Sequence, residues 1–217
     1  NVDDCETNYE EAHKVNALGP KNLATVCKDL KIPLVHISTD YVFDGKKTEP
    51  LKENDNLGPQ TAYGKTKLEG EQFIQKILDE YFIIRTAWLY GCDGNNFVKT
   101  MLNLSKSHNE INVVNDQIGS PTFTYDLAKG ISEIIKTDKY GVYHLTNSGS
   151  CSWYEFSKEI FKLANINVKV TPVTTEEFPR PAPRPKYSVL SNDKWIKQGF
   201  KPLRNYKEAL KEYLLTC

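Results

Sequence analysis

Three residues stand where they could do chemistry together: Thr39, Tyr63 and Lys67. Tyr63 and Lys67 are four apart on a run of strong helix formers, so their side chains share one face. A phenol beside an ammonium suits the protonation of a developing alkoxide. A free phenol titrates near ~10, and a neighbouring cation is expected to move it toward neutral pH. Thr39 lies at the end of the short apolar run Leu34-Val35-His36-Ile37, which follows Pro33 and reads as a buried parallel strand. Ligands of open α/β sheets gather at the carboxyl ends of such strands, so the Thr39 hydroxyl is expected to offer the reacting oxygen a second donor.

The elements that position these residues follow from the pattern. Residues 8–30 carry Ala12, Val15, Leu18, Leu23, Val26 and Leu30 at helical spacing, with Gly19-Pro20 predicting a kink. Residues 45–61, rich in Gly, Lys, Glu, Asp and Pro, predict a solvated loop over the site. A helix is expected from Ala62 to Asp79, with Leu68, Phe73, Ile74, Ile77 and Leu78 inward. The strand Tyr81–Thr86 follows, and its end delivers Trp88 to the cleft of Thr39. Further on, the pattern predicts a helix to Lys106, a strand Ile111–Val114, a helix over 123–137 and a strand Gly141–Asn147 of the same sheet. Ser152 and Glu155 form a capping box opening a helix, Val168–Val173 is strand-like, and 178–185 is extended and proline-rich. Short helices close the chain near 192–197 and 206–215.

The wording Ser38-Thr39-Asp40-Tyr41-Val42-Phe43-Asp44-Gly45, followed by Tyr63-Gly64-Lys65-Thr66-Lys67-Leu68-Glu69-Gly70-Glu71, resembles the extended short-chain dehydrogenase/reductases. Within them it is most similar to the dTDP-4-dehydrorhamnose reductase family, which the loop Asn115–Thr122 and the run Arg184-Pro185 before Ser188-Val189-Leu190 also resemble. The resemblance implies the carboxyl-terminal portion of a Rossmann-type, doubly wound α/β parallel sheet with a small mixed α/β substrate-binding lobe. The sheet portion would be residues 1–90 and 123–147, and the lobe 91–122 and 148–217. The implied reaction is NADH- or NADPH-dependent reduction of the 4-keto group of dTDP-4-dehydro-L-rhamnose, with Tyr63, Lys67 and Thr39 catalytic. Cofactor contacts would come from Tyr63, Lys67, Ser38 and Asn16. Substrate contacts would come from Thr39, Asp40, Trp88, Asn96, Gln117 and Arg184, although turn chemistry explains Asn95, Asn96 and Gln117 equally well. Trp88 would offer the sugar an aromatic face.

The family's glycine-rich phosphate turn, Gly-x-x-Gly-x-x-Gly after a strand, is not present in the 217 residues. About two βαβ units, which in the family carry the pyrophosphate cradle and the NAD/NADP-discriminating residue, are therefore expected to lie outside this sequence. Two rivals remain open. A dehydratase of the same superfamily would need a Glu after Asp40, where this chain has Tyr41. A non-catalytic NADP-binding subunit, like the β subunit of methionine adenosyltransferase, would keep the Tyr-Gly-Lys-Thr-Lys wording but has Ser-Asp where Thr39-Asp40 stands here.

Composition excludes other classes. The 28 basic residues balance 28 acidic ones, so no basic field points to nucleic acid. No run of 18 apolar residues points to a membrane span. The amino-terminal residues do not read as a signal peptide, and a cytoplasmic enzyme, with a homodimer open to it, is the expectation. The five cysteines are scattered and read as isolated thiols. The four histidines do not cluster, and no metal site is expected: His36 and His144 read as core or strand-end residues.

Overall fold

The computed structural model describes all 217 residues. The first helical stretch runs as α1 (Asp4–Thr7), α2 (Tyr9–His13), a wide π-type turn (Lys14–Leu18) and α3 (Gly19–Leu30). Then come β1 (Leu34–Thr39), a 3₁₀ turn (Asp40–Val42), α4 (Ala62–Ile77) and β2 (Tyr81–Thr86). The second half contributes β3 (Leu89–Tyr90), α5 (Phe97–Leu104), β4 (Glu110–Val114), β5 (Ile118–Gly119), β6 (Thr122–Phe123) and α6 (Thr124–Ile134). It closes with β7 (Gly141–His144), β8 (Cys151–Ser152), α7 (Trp153–Leu163), β9 (Lys169–Val173), α8 (Asp193–Lys197) and α9 (Tyr206–Thr216).

A parallel sheet in the order β1-β2-β7 is the frame of the site. Its register sets Thr39 opposite Thr86, so two strands end together and open on one side. β2 is buried along most of its length, through Phe82, Ile83 and Ile84. β1 departs from the buried strand expected of it: it is an edge in this chain, and Val35 and Ile37 are each 37% exposed. Smaller ladders surround the sheet: β3 with β6, β4 with β9, and β5 antiparallel to β8.

Helices α3 and α4 cover the sheet through Ala24, Cys27, Ile74, Leu78 and Ile83, which pack as one cluster. The apolar stripe expected to face inward on α3 does not do so. Val15, Leu23, Val26 and Leu30 are exposed, whereas Ala17, Pro20, Ala24 and Cys27 are buried. Backbone proximity is the reason. A Cβ on Gly70 of α4 would overlap the Asn16 carbonyl oxygen, so the contact is made by residues with little or no side chain. Pro20 sits at the first turn of α3, where its missing N–H costs nothing, and the chain widens into a π turn just before it.

One buried pair ties the layers together. Arg85 of β2 and Glu71 of α4 are 2% and 0% exposed, and they meet through Nη2–Oε2 at 2.7 Å and Nε–Oε1 at 3.0 Å. The loop over 45–61 is less solvated than expected. Leu51 is buried, its carbonyl faces His144 Nδ1 at 3.0 Å, and Glu53 accepts from the His144 N–H at 2.9 Å. Leu51 also bridges Leu190, so the loop is joined to the segment that follows the proline-rich stretch. A larger apolar cluster of α5, α7, α9 and their strands, centred on Tyr90, Phe156 and Tyr213, forms the second half's core. The thiols are not all isolated: Cys92 and Cys217 form a disulfide with Cα atoms 5.0 Å apart. Sequence distance hid this pair, since 125 residues separate the two.

Candidate active site

Beyond the ends of β1 and β2 lies a cavity of about 490 Å³. Ser38, Thr39, Asp40, Tyr63, Lys67 and Trp88 line it, together with Gln117, Trp153 and Arg184. The residues named from sequence therefore meet, with the exceptions of Asn16 and Asn96.

Thr39 stands where extended strand gives way to the 3₁₀ turn, which its hydroxyl caps by accepting from the Tyr41 N–H at 3.3 Å. The same hydroxyl donates to Asp40 Oδ1 at 2.9 Å. Asp40 is buried, and its second oxygen makes no hydrogen bond. Burial raises its pKa to about 6, against the pull of the Ser188 and Thr39 hydroxyls. Ser38 is buried as well, with an unpartnered hydroxyl. With Thr86 Oγ1, three cavity-lining residues carry an unpartnered polar atom, each covered by its neighbours.

Tyr63 and Lys67 come from the first two turns of α4, whose start is fixed by Thr61 accepting from the Gly64 N–H. Gly64 is required there, because a Cβ would overlap the Tyr41 carbonyl oxygen. Tyr63 packs edge-on against Tyr41, with ring centroids 5.5 Å apart. Its phenol departs from the expected lowering: burial pushes it up to about 12, the Thr39 hydroxyl draws it down, and the Asp40 charge raises it. Lys67 does not offset this, because its ammonium is engaged elsewhere. Nζ donates to the Ile37 carbonyl at 2.7 Å and lies 3.4 Å from His36 Nε2. Burial lowers Lys67, with Glu71 one turn on opposing the shift. At neutral pH Tyr63 thus keeps its proton and can give it away.

The remaining residues divide. Gln117 is buried at the cavity and donates to Thr175 Oγ1 at 2.9 Å. Arg184 lines the wall, but its fork is already held by Asp3 Oδ2 at 2.8 Å and the Ala182 carbonyl at 2.9 Å. Asn16 lies in a neighbouring 360 Å³ hollow that shares Tyr63, and it donates to Thr66 Oγ1 at 3.2 Å. Asn96 serves as a cap: it accepts from the Lys99 N–H at 3.1 Å and donates to the Gly91 carbonyl at 2.8 Å. Sequence reasoning missed Trp153, which stacks on Trp88 with ring centroids 3.4 Å apart and planes 5° from parallel. Its only signal was its place behind the capping Ser152, which accepts from the Glu155 N–H at 3.0 Å as that motif predicts.

Ser38, Tyr63 and Lys67, expected from the sequence on the cofactor side, line the one cavity together. No glycine-rich turn between a strand and a helix is available in this chain to take the pyrophosphate.

A family model described as the RmlD substrate binding domain matches residues 1–217. The chain is 46% identical over 213 residues to the spore coat polysaccharide biosynthesis protein SpsK of Bacillus subtilis, covering 98% of this chain and 75% of that protein. Its fold superposes with a TM-score of 0.96 on a crystal structure of a dTDP-4-dehydrorhamnose reductase from Clostridium acetobutylicum, at 57% identity over 98% of this chain and 76% of that one. It superposes with a TM-score of 0.97 on a dTDP-4-dehydrorhamnose reductase of Bacillus anthracis in complex with NADP, at 46% identity over 100% of this chain and 77% of that one.

Proposed function

The chain belongs to the RmlD substrate-binding-domain family, and from that premise we propose that it reduces the 4-keto group of dTDP-4-dehydro-L-rhamnose to give dTDP-L-rhamnose. The observation that carries this reading is the convergence of Thr39, Tyr63 and Lys67 on one cavity at the carboxyl end of β1. The product class, an activated deoxy sugar, suits cell-surface polysaccharide biosynthesis.

NADH or NADPH, when bound, would supply a hydride for the carbonyl carbon. Tyr63 gives its phenolic proton to the carbonyl oxygen, so that C=O becomes CH–OH and a phenolate is left to be reprotonated from water. A phenol raised by burial is a weaker acid than a free one, but it is present entirely in the proton-bearing form. Thr39 would supply the second hydrogen bond to that oxygen by turning its one O–H away from Asp40 Oδ1, to which it donates in this structure. Lys67, fixed to the Ile37 carbonyl rather than aimed at the phenol, would hold the ribose of the cofactor. Ser38 and Asn16 support the cofactor side. Asp40, Trp88, Gln117 and Arg184 face the sugar nucleotide, whereas Asn96 shapes the loop beside it.

No helix is long and apolar enough to cross a membrane. A cytoplasmic location belongs to the same reading, in which Cys92 and Cys217 would be reduced in the cell. The test is to supply the full-length protein with dTDP-4-dehydro-L-rhamnose and NADPH. One coenzyme oxidised per rhamnosyl nucleotide formed is the expected result. Tight coenzyme binding without turnover would favour a regulatory binding module and overturn the proposal.

A further inference from the structure

The indole of Trp88 is held from both sides. Trp153 lies on one face, with centroids 3.4 Å apart and planes nearly parallel. Gly119 of β5 lies against the other: a Cβ built there would stand within 2.6 Å of Cε2, Nε1 and Cζ2 together. An atom that near three adjacent ring atoms approaches the ring from above rather than from its edge. A second ring at 3.4 Å leaves no room for it on the same face. Gly119 and Trp153 therefore occupy opposite faces.

Trp88 would not settle here unaided. Its φ is +49°, a left-handed conformation that bulky residues rarely adopt. A face-to-face aromatic pair is also poorer than an offset or edge-on one. The surroundings impose the arrangement. Phe97 tilts onto Trp153 with centroids 4.4 Å apart, and the Ser152–Glu155 capping box fixes the start of α7 that carries Trp153. Gly119 is fixed by pairing with Cys151 in the β5–β8 ladder.

We propose that Gly119 and Trp153 are positioning residues that clamp Trp88 and so fix the sugar-facing wall of the cavity. The inference rests on the sugar-nucleotide reading above. With both faces covered, Trp88 presents the edge of its indole to the cavity, not the aromatic face expected from the sequence, and the wall cannot shift to admit a differently shaped hexose. Gly119 is needed because any Cβ would drive the ring from its stack.

The test compares two ligands on the full-length protein by calorimetry: dTDP-L-rhamnose, and dTDP without a sugar. Gly119→Ala is expected to weaken dTDP-L-rhamnose about ten-fold, or about 1.4 kcal/mol, while dTDP stays within about two-fold. The near-parallel indole pair should give an exciton couplet in circular dichroism, and Gly119→Ala should abolish it. Trp153→Phe, which keeps a ring at the first position of α7, should weaken the sugar nucleotide about three-fold and also lose the couplet. Loss of the couplet with unchanged dTDP-L-rhamnose affinity in both variants would overturn the clamp. Equal weakening of both ligands in Trp153→Phe would overturn it too, since the sugar wall alone is meant to change. A wild-type protein that binds dTDP-L-rhamnose no better than dTDP yet turns over the keto sugar would refute the clamp but leave the reductase reading intact. A wild type that binds neither nucleotide would end both.

Discussion

Removing the Glu71 carboxylate is expected to be among the most destabilising single changes in this chain. Glu71 and Arg85 are 0% and 2% exposed, and the guanidinium reaches the carboxylate through three N–H···O contacts at 2.7, 3.0 and 3.2 Å. Its other hydrogen bond, from Nη1 to the Glu53 carbonyl at 3.4 Å, is long. In Glu71→Gln the amide keeps the shape of the carboxylate but removes its charge, leaving a buried cation uncompensated. Breaking a buried pair from one side costs about 3–5 kcal/mol. For a chain of this size ~1 kcal/mol corresponds to about 2–4 °C. The lower bound of ~3 kcal/mol is thus a fall of about 6–12 °C in melting temperature. Urea unfolding of the full-length protein, followed by tryptophan fluorescence, measures the free energy directly. Replacing both partners, Glu71→Leu with Arg85→Met, should recover wild-type stability to within ~1 kcal/mol, because no unpaired charge remains. A Glu71→Gln variant within about 1 kcal/mol of wild type would refute the reasoning and show that water reaches Arg85.

Two other perturbations separate the roles around the cavity. Burial lowers His144 to about 3, so between its unfolded value of 6.5 and about 3 the unfolded chain binds the extra proton and stability falls with falling pH. His144→Phe should flatten that acid limb relative to wild type, as read by urea midpoints across the range; an unchanged slope would mean that His144 is already protonated in the fold. Lys67→Met should raise the Kd for NADPH about ten-fold and slow turnover as well. Unaltered NADPH affinity by fluorescence titration would remove Lys67 from the cofactor side.

Much of the frame was legible because it rests on local rules. The strand ending at Thr39, the i,i+4 pair on α4, the β2 strand and the capping box at Ser152 each follow from propensity and period. What escaped depended on close approach or long range. Large apolar side chains on α3 looked like its inner face, yet the contact with α4 is made by Ala17, Pro20 and Gly70, because two backbones meet there. Glu71 closed the run that carries the resemblance, and nothing in its spacing marked it as buried. Only the fold brings Arg85, 14 residues on, beneath it. The lowered phenol expected of Tyr63 assumed that spacing alone aims an ammonium at a phenol, but the Ile37 carbonyl holds Lys67 instead. Trp153 announced itself as the first residue of a capped helix and gave no sign that it would stack on a tryptophan 65 positions earlier. The Cys92–Cys217 link was hidden for the same reason.

The central claim is that Tyr63 delivers the proton, and Tyr63→Phe tests it most directly. The substitution keeps the ring against Tyr41 and removes only the hydroxyl. Turnover of dTDP-4-dehydro-L-rhamnose by the full-length protein should fall by a factor of ~10²–10⁴, while the Kd for NADPH stays within about three-fold of wild type. A variant that keeps more than about a third of wild-type turnover would contradict the account, because another group would then be supplying the proton.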